Sequence, residues 1–191
     1  MSITVQNIPK ELIYEMVEGR PIYYKGYKEY LNGNKQVEEI MGCSYIQSLI
    51  ITKLVILLGM HLSKKYTVLT NEIGLQFSER SWRAADIAVV ENDKLRNIQR
   101  KDKFLKIAPS VVIEIDTKAS IEEVRDTLGY FHQKTDQLIE FGVGRVIWIF
   151  TDSQKVMIAE KGEPWSTINW QDEFFIIEGI SARLEDIVAE E

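Results

Sequence analysis

The chain has 191 residues, of which 45% are hydrophobic and 27% charged, and a net charge of −6 at pH 7. This length suits a single domain over residues 1–191, and the composition, with Cys43 as the one cysteine, excludes a disulfide scaffold, a disordered tail and a collagen-like repeat. The acidity argues against unselective nucleic-acid binding, and the longest apolar run, residues 54–60, is too short to cross a membrane. We therefore expect a cytoplasmic protein without membrane association.

The first third of the chain is predicted to be mainly helical. Pro9 suits the first turn of a helix, and Gly19 suits its end. The elements predicted here are a helix over residues 9–18, an extended segment over 21–24, a loop or weak hairpin over 25–35 and a long helix over 37–64.

The rest of the chain alternates between extended segments and helices. Runs rich in β-branched residues predict strands, and Ser120 with Glu123 forms a capping-box pattern that begins a helix. The predicted strands cover 66–70, 72–77, 85–90, 111–116, 145–151, 154–160 and 173–178, and the predicted helices cover 120–141 and a segment from residue 182. This order indicates an α/β (α+β) fold, a mixed sheet flanked by helices.

Acidic side chains interrupt two of the apolar strands. In the strand 111–116, alternation places Glu114 and Asp116 on one face, and Asp86 lies in a similarly apolar strand. A buried charge is costly unless it is paired or binds a metal ion. If the two strands are neighbours, these carboxylates can converge on a hard cation such as Mg²⁺. The alternative is that each acid caps a strand end or pairs with a lysine.

The helix 120–141 carries a lysine beside its apolar stripe. Leu128, Phe131 and Leu138 lie on the stripe, and Lys134 falls on its flank beside Tyr130. One interpretation is that the lysine stem packs on the core while the ammonium group reaches water. The other is that the ammonium reaches the carboxylates on the preceding strand, where it could orient a water molecule or stabilise a negatively charged phosphate.

Positive charge is concentrated between the two acidic strands. The connector carries six cations and one acid, Asp102. The cations are Lys94, Arg96, Arg100, Lys101, Lys103 and Lys106. They either form a solvated loop or an arm that contacts nucleic-acid phosphates beside the site.

Several short segments together resemble one protein family. These are residues 14–19 (YEMVEG), the helix around Gln47, Ile50 and Leu54, residues 85–90 (ADIAVV), residues 112–120 (VIEIDTKAS), and Lys134 followed by residues 142–143 and 148–149. In order and spacing they are similar to the Uma2 family, also called DUF820. The resemblance implies the restriction-endonuclease-like PD-(D/E)xK fold and a metal-dependent phosphodiesterase site.

The resemblance also implies roles for individual residues. Asp86 and Glu114 would bind Mg²⁺, for which Mn²⁺ can substitute. Lys134 would be the family's lysine, displaced from the strand to the following helix, and Lys118 is its rival. Asp116 would join the metal shell or pair with Lys134. Glu15 would add a helix-borne carboxylate that the sequence does not place near the others.

The sequence departs from the family pattern at several points. Ala85 precedes Asp86 where the family has proline, and Gln47 stands where many relatives have histidine. The leading hypothesis is an endonuclease that hydrolyses DNA phosphodiester bonds with Mg²⁺ as a homodimer. One alternative is a catalytically inactive nuclease-fold protein that binds nucleic acid or a protein partner. Another is an interaction subunit that binds neither metal nor nucleic acid.

Overall fold

The computed structural model of the chain describes residues 8–96, 98, 103–121 and 127–189. The helices are α1 (Tyr27–Leu31), α2 (Val37–Met41), α3 (Tyr45–His61), α4 (Asn92–Leu95), α5 (Thr127–Phe141) and α6 (Leu184–Val188). The strands are β1 (Ile13–Val17), β2 (Arg20–Tyr23), β3 (Tyr66–Ser78), β4 (Ser81–Glu91), β5 (Val111–Ile115), β6 (Arg145–Phe150), β7 (Lys155–Glu160), β8 (Ser166–Asn169), β9 (Phe174–Ile177) and β10 (Ile180–Ala182). Within these ranges no helix is long and apolar enough to cross a membrane.

A large mixed sheet forms the centre of the fold. Its order is β2-β1-β4-β5-β6-β7-β8, and β3 also pairs with β4. Only β5 and β6 run parallel among the strand pairs of the described sheet. On one face α3 packs through Ile50, Leu54 and Leu58, and on the other α5 packs through Tyr130 and Leu138. The predicted mixed sheet flanked by helices is therefore confirmed.

Strand β4 forks the sheet. Its Trp82 pairs with Gln76 of β3 and with Met16 of β1, so β1 lies on the edge of β4 opposite β3. Further along that same edge, Ile87 pairs with Ile113 of β5. Strands β1 and β5 thus share one edge of β4, and residues 83–86 lie at the gap between them. The gap is where side chains, rather than strand partners, meet the backbone of β4.

The predicted helix over 9–18 is wrong. Only a 3-10 turn (Lys10–Leu12) forms, and β1 follows it directly. The backbone turns back at Glu18 and Gly19, whose φ values are +50° and +82°. Two consecutive left-handed residues make the tight turn that joins antiparallel strands, and Gly19 supplies one of them without steric cost. The segment therefore forms the β1–β2 hairpin.

Other boundaries also differ from the prediction. The long helix over 37–64 divides into α2 and α3, because Gly42 leaves the helix and Ser44 caps a new one by accepting a hydrogen bond from the Gln47 amide at 3.2 Å. The predicted loop over 25–35 contains α1. The β6–β7 hairpin is confirmed, whereas β8 and β10 were not predicted. Glu123 of the predicted capping box lies outside the described residues.

Candidate active site

Glu15 of β1 occupies the gap in β4. Its Oε2 accepts hydrogen bonds from Arg83 Nη1 at 2.7 Å and from the Tyr130 hydroxyl at 2.8 Å. Its Oε1 accepts one from the Ala84 amide at 3.2 Å and lies 2.8 Å from Lys134 Nζ. The side chains of Glu15, Arg83 and Lys134 are all fully buried. The carboxylate therefore takes the place of a strand partner for Ala84 and neutralises two cations.

Arg83 is held by helix α5 as well as by Glu15. Its Nε donates to Gln137 Oε1 at 2.9 Å, and its Nη2 donates to Gln133 Oε1 at 3.3 Å. Tyr130 lies under the guanidinium, 5.5 Å from ring centroid to Cζ. A buried guanidinium needs this many partners because each unpaired donor would keep its desolvation cost. The network fixes α5 against β1 and β4.

Lys134 links Glu15 to Glu114. Its Nζ lies 3.0 Å from Glu114 Oε1, and the Glu114 side chain is 1% exposed. The two contacts of the Lys134 ammonium group, with Glu15 and with Glu114, are ion pairs. The ammonium group does not reach water, and the interpretation in which it snorkels to solvent is wrong. Leu128 of the predicted apolar stripe is also 56% exposed, because α5 turns that side outward.

Asp86 lies opposite Glu114 at the end of the β4–β5 pairing. The pair Ile87–Ile113 is the last one in that ladder, and Asp86 and Glu114 are the next residues along. Asp86 Oδ2 accepts a hydrogen bond from the Ile115 amide at 2.7 Å. Asp86 is thus fixed at the end of the β4–β5 pairing, with 6% of its surface exposed.

Charge in this cluster is only partly neutralised. Burial and the nearby Asp86 raise the pKa of Glu114 to about 8 against the pull of Lys134. Burial also raises the pKa of Asp86. Burial alone would raise the pKa of Glu15, but Lys134 and Arg83 outweigh it and lower that pKa. Burial would lower the pKa of Lys134, but Glu114 and Glu15 raise it, so the ammonium stays charged.

Two cavities open beside this cluster and meet at Lys118 and Gln47. The inner cavity, of about 290 Å³, reaches Asp86 and Glu72. The outer cavity, of about 910 Å³, lies between the start of α3 and the loop after β5. Gln47 is 6% exposed, and its Nε2 donates to the Ile115 carbonyl at 2.9 Å. Of the three residues predicted to act together, only Asp86 lines a cavity wall, while Glu114 and Lys134 lie behind it.

Asp116 does not share a strand face with Glu114. Strand β5 ends at Ile115, and Asp116 has a φ of +54°. Its two carboxylate oxygens accept hydrogen bonds from Thr151, one from the amide at 2.8 Å and one from the hydroxyl at 2.6 Å. The alternation predicted for 111–116 stops at Ile115 because the chain turns at Asp116. Through these hydrogen bonds Asp116 ties the loop after β5 to the end of β6, and it lies in the wall of the outer cavity.

The basic connector is only partly described. Helix α4 begins at Asn92, six residues beyond Asp86 in β4, which at about 3.3 Å per residue places it about 20 Å along the strand. Lys94 Nζ donates to the Ala108 carbonyl at 3.3 Å, and Arg96 pairs with Asp93 at 3.0 Å. Lys94 and Arg96 therefore lie away from the site, contrary to the expectation that the connector runs beside it.

The later part of the connector returns towards β3. Leu105 exchanges backbone hydrogen bonds with Gly74 and Gln76, and the exposed Lys103 and Lys106 flank this segment. Arg100, Lys101 and Asp102 lie outside the described residues. A role of the connector in nucleic-acid binding stays a prediction.

Several residues of the site were missed by the sequence analysis. Glu15 was assigned to a helix, and Arg83, Gln133 and Gln137 were given no role in the site. One usable signal was present, because Arg83 interrupts an apolar strand just as Asp86 does, and a charge in such a strand needs a partner. The partner itself, 68 residues away, could not be read from spacing.

The described residues therefore form a mixed α/β sheet with a buried cluster of acids and cations near its centre. The sequence profile of the Uma2 family, described as "putative restriction endonuclease", matches residues 27–187. The chain therefore belongs to the Uma2 family, as the resemblance in its motifs indicated.

A solved structure supports the fold assignment. It is the crystal structure of a protein from Anabaena variabilis ATCC 29413, titled a putative nuclease belonging to DUF820. The two chains share 15% sequence identity with a TM-score of 0.66, and the match covers 91% of this chain and 88% of the other. At this identity the likeness shows a common fold. Among curated proteins, none matches the chain at a significant level.

Proposed function

We propose that the protein is an endonuclease that hydrolyses DNA phosphodiester bonds with the help of Mg²⁺. The observation that carries the proposal is that Asp86, Glu114 and Lys134 lie close together although Asp86 and Lys134 are far apart in the chain. Asp86 and Glu114 are next to the last β4–β5 pair, and Lys134 forms an ion pair with Glu114. Membership of the Uma2 family supports the coarser class, a restriction-endonuclease-like protein.

The carboxylates fit a hard divalent cation. Asp86 and Glu114 are the next residues beyond the last β4–β5 pair, and burial, together with the charge of Asp86, raises the pKa of Glu114. No group of three or more His, Cys, Asp or Glu side chains is arranged as a metal site among the residues that the structure describes. Mg²⁺ commonly needs only one or two carboxylates, because water and substrate phosphate complete its shell. Asp86 and Glu114 would hold the ion.

The bound ion would supply positive charge to the phosphate and make a water molecule more acidic. The chain's own residues prepare this site. The Ile115 amide fixes Asp86, and Gln47 fixes the Ile115 carbonyl. Lys134 remains protonated and keeps Glu114 in place, while Glu15, which is itself held by Arg83, pairs with Lys134 from behind.

Cleavage of supercoiled plasmid DNA tests the proposal. Wild type with Mg²⁺ should convert the plasmid to nicked and linear forms, and Asp86→Ala should not. Asp186→Ala is the matched control, since Asp186 is an exposed acid on α6 with a side chain 69% exposed. Equal cleavage by wild type and Asp86→Ala would remove the proposed site. Calorimetric titration with Mg²⁺ should show binding by wild type and by Asp186→Ala, and not by Asp86→Ala.

The catalytically inactive alternative has one observation in its favour. Lys134 is fully buried in ion pairs, so it does not face the cavities as a catalytic lysine would. An inactive protein that binds nucleic acid would show salt-dependent DNA affinity without Mg²⁺ binding or cleavage. Replacing Lys94, Arg96 and Lys103 together by Gln should reduce that affinity if the connector contacts phosphates. The predicted homodimer is tested by analytical ultracentrifugation of the wild type.

A further inference from the structure

A second lysine faces the space that Lys134 does not reach. Lys118 lines both the inner and the outer cavity, and its side chain is 16% exposed, whereas that of Lys134 is fully buried. The inner cavity also reaches Asp86, which is the predicted metal ligand nearest to solvent. A phosphate that approached Asp86 through these cavities would therefore meet Lys118 first.

A β-bulge in β3 supplies the counter-ion of Lys118. Thr70 pairs with Ile87 and Ile73 pairs with Ala85, so Asn71 and Glu72 together stand opposite the single residue Asp86. Their φ values are +71° and +53°. Asparagine tolerates this left-handed region, but for glutamate it is strained, and bulges with such strain occur preferentially beside active sites. The bulge turns Glu72 into the inner cavity beside Asp86.

The lysine is held without being enclosed. Glu72 Oε1 forms an ion pair with Lys118 Nζ, and the Met41 carbonyl accepts a hydrogen bond from the same nitrogen at 3.2 Å. Tyr24 donates its hydroxyl to the other oxygen of Glu72 at 2.9 Å. The Glu72 side chain is 24% exposed, so the pair lies at the mouth of the site and a competing anion can reach it.

We propose that Lys118 contacts the phosphodiester backbone of the substrate at this site and that Glu72 holds Lys118 in its place until the phosphate displaces it. This inference rests on the proposed function, whose substrate is DNA. A phosphate oxygen would take the position of Glu72 Oε1 and keep the charge of Lys118 paired. Lys134 then acts as a positioning residue for Glu114. The division explains why the chain carries two lysines near one pair of acids.

Binding of a fluorescently labelled duplex of about 20 base pairs, with Ca²⁺ in place of Mg²⁺ to slow cleavage, tests the assignment. Lys118→Met should weaken binding about 10-fold, and the slope of log affinity against log salt concentration should become shallower by about 0.9, the value for one lost phosphate contact. Lys118→Arg should restore most of the affinity, because it keeps the charge. Lys64→Met, which removes an exposed lysine in the loop before β3, should match wild type.

Glu72→Gln separates phosphate binding from a purely structural ion pair. If Glu72 competes with phosphate, this substitution should tighten DNA binding several-fold. If the pair only holds the loop, Glu72→Gln should weaken binding as Lys118→Met does, and the proposal is overturned. The melting temperatures of both variants, measured alongside, should stay near that of wild type.

The outcomes distinguish this inference from the proposed function. Cleavage by wild type, together with equal affinity and equal salt slope for Lys118→Met and Lys64→Met, overturns the role of Lys118 alone. Wild type that neither binds nor cleaves DNA overturns both. Wild-type cleavage that is lost in Lys118→Met and regained in Lys118→Arg supports the assignment.

Discussion

Replacing Glu114 by Gln should remove a large pH dependence of the stability of this protein. Burial and Asp86 raise the pKa of Glu114 from its ordinary value of 4.5 to about 8 in the folded state. Between these two pH values the folded protein binds a proton that the unfolded chain has released. The free energy of unfolding therefore falls as the pH rises through this window, and the contribution of this proton is completely lost above about pH 8.

The size of the effect follows from the same two pKa values. Each pKa unit corresponds to about 1.4 kcal/mol, so a change from 4.5 to about 8 amounts to a loss approaching about 5 kcal/mol. The neutral amide in Glu114→Gln would mimic the protonated glutamate, and Lys134 would retain Glu15 as its counter-ion. We expect the variant to be close to wild type near pH 5 and several kcal/mol more stable than wild type near pH 8.5.

Urea denaturation followed by tryptophan fluorescence measures this difference. The free energy of unfolding of wild type and Glu114→Gln should be compared at about pH 5, 6.5 and 8.5, in EDTA so that no divalent ion binds. Glu173→Gln, a change at an exposed acid, is the control. Its free energy of unfolding should vary with pH in the same way as that of wild type. A constant difference between wild type and Glu114→Gln across this range would refute the reasoning, because it would mean that Glu114 is ionised throughout.

Three further predictions concern the same region. At about pH 8.5, where Glu114 is ionised, Lys134→Met should destabilise the protein by about 3–5 kcal/mol in urea denaturation, since Glu15 and Glu114 lose their shared cation, and adding Glu114→Gln should recover part of the loss; simple additivity would contradict the ion pair. Mg²⁺ at about pH 8.5 should raise the melting temperature of wild type and leave that of Glu114→Gln unchanged, and an equal rise in both would argue against Glu114 as a ligand. Gly74→Ala should cost about 1–3 kcal/mol, because the new Cβ would lie 2.3 Å from Phe104 Cδ1, and the cost should vanish in a Phe104→Ala background.

Local patterns account for the elements that the sequence analysis placed well. The β-branched runs of β4 to β7 fold as strands because such side chains suit a pleated, buried surface. The apolar spacing of α5 is that of a helix with one buried face, although Lys134 lies within that face and not on its flank as predicted. The motif order that identified the Uma2 family is likewise a property of the linear chain, and residues 27–187 match that family.

The turns and bulges depended on contacts beyond the local sequence. The segment 9–18 has a helix-compatible pattern, but pairing with β2 and β4 makes it a strand and moves Glu15 to the centre of the site. The bulge at Asn71 and Glu72 occurs inside a continuous β3, where two separate strands were predicted with a break at residue 71. In both places a strand partner, which no local pattern reveals, decided the backbone conformation.

The sequence by itself determined that two acids and a lysine stand in apolar surroundings, because a charge in such a segment is visible without knowing the fold. Tertiary structure decided their partners. Glu15 meets Tyr130 across 115 residues, and Lys118 meets Glu72 across 46, contacts that arise only when sheet register and helix packing close the site. Burial then fixed which lysine keeps its charge in the interior and which one faces the cavities, since desolvation depends on the whole surrounding structure and not on neighbours in the chain.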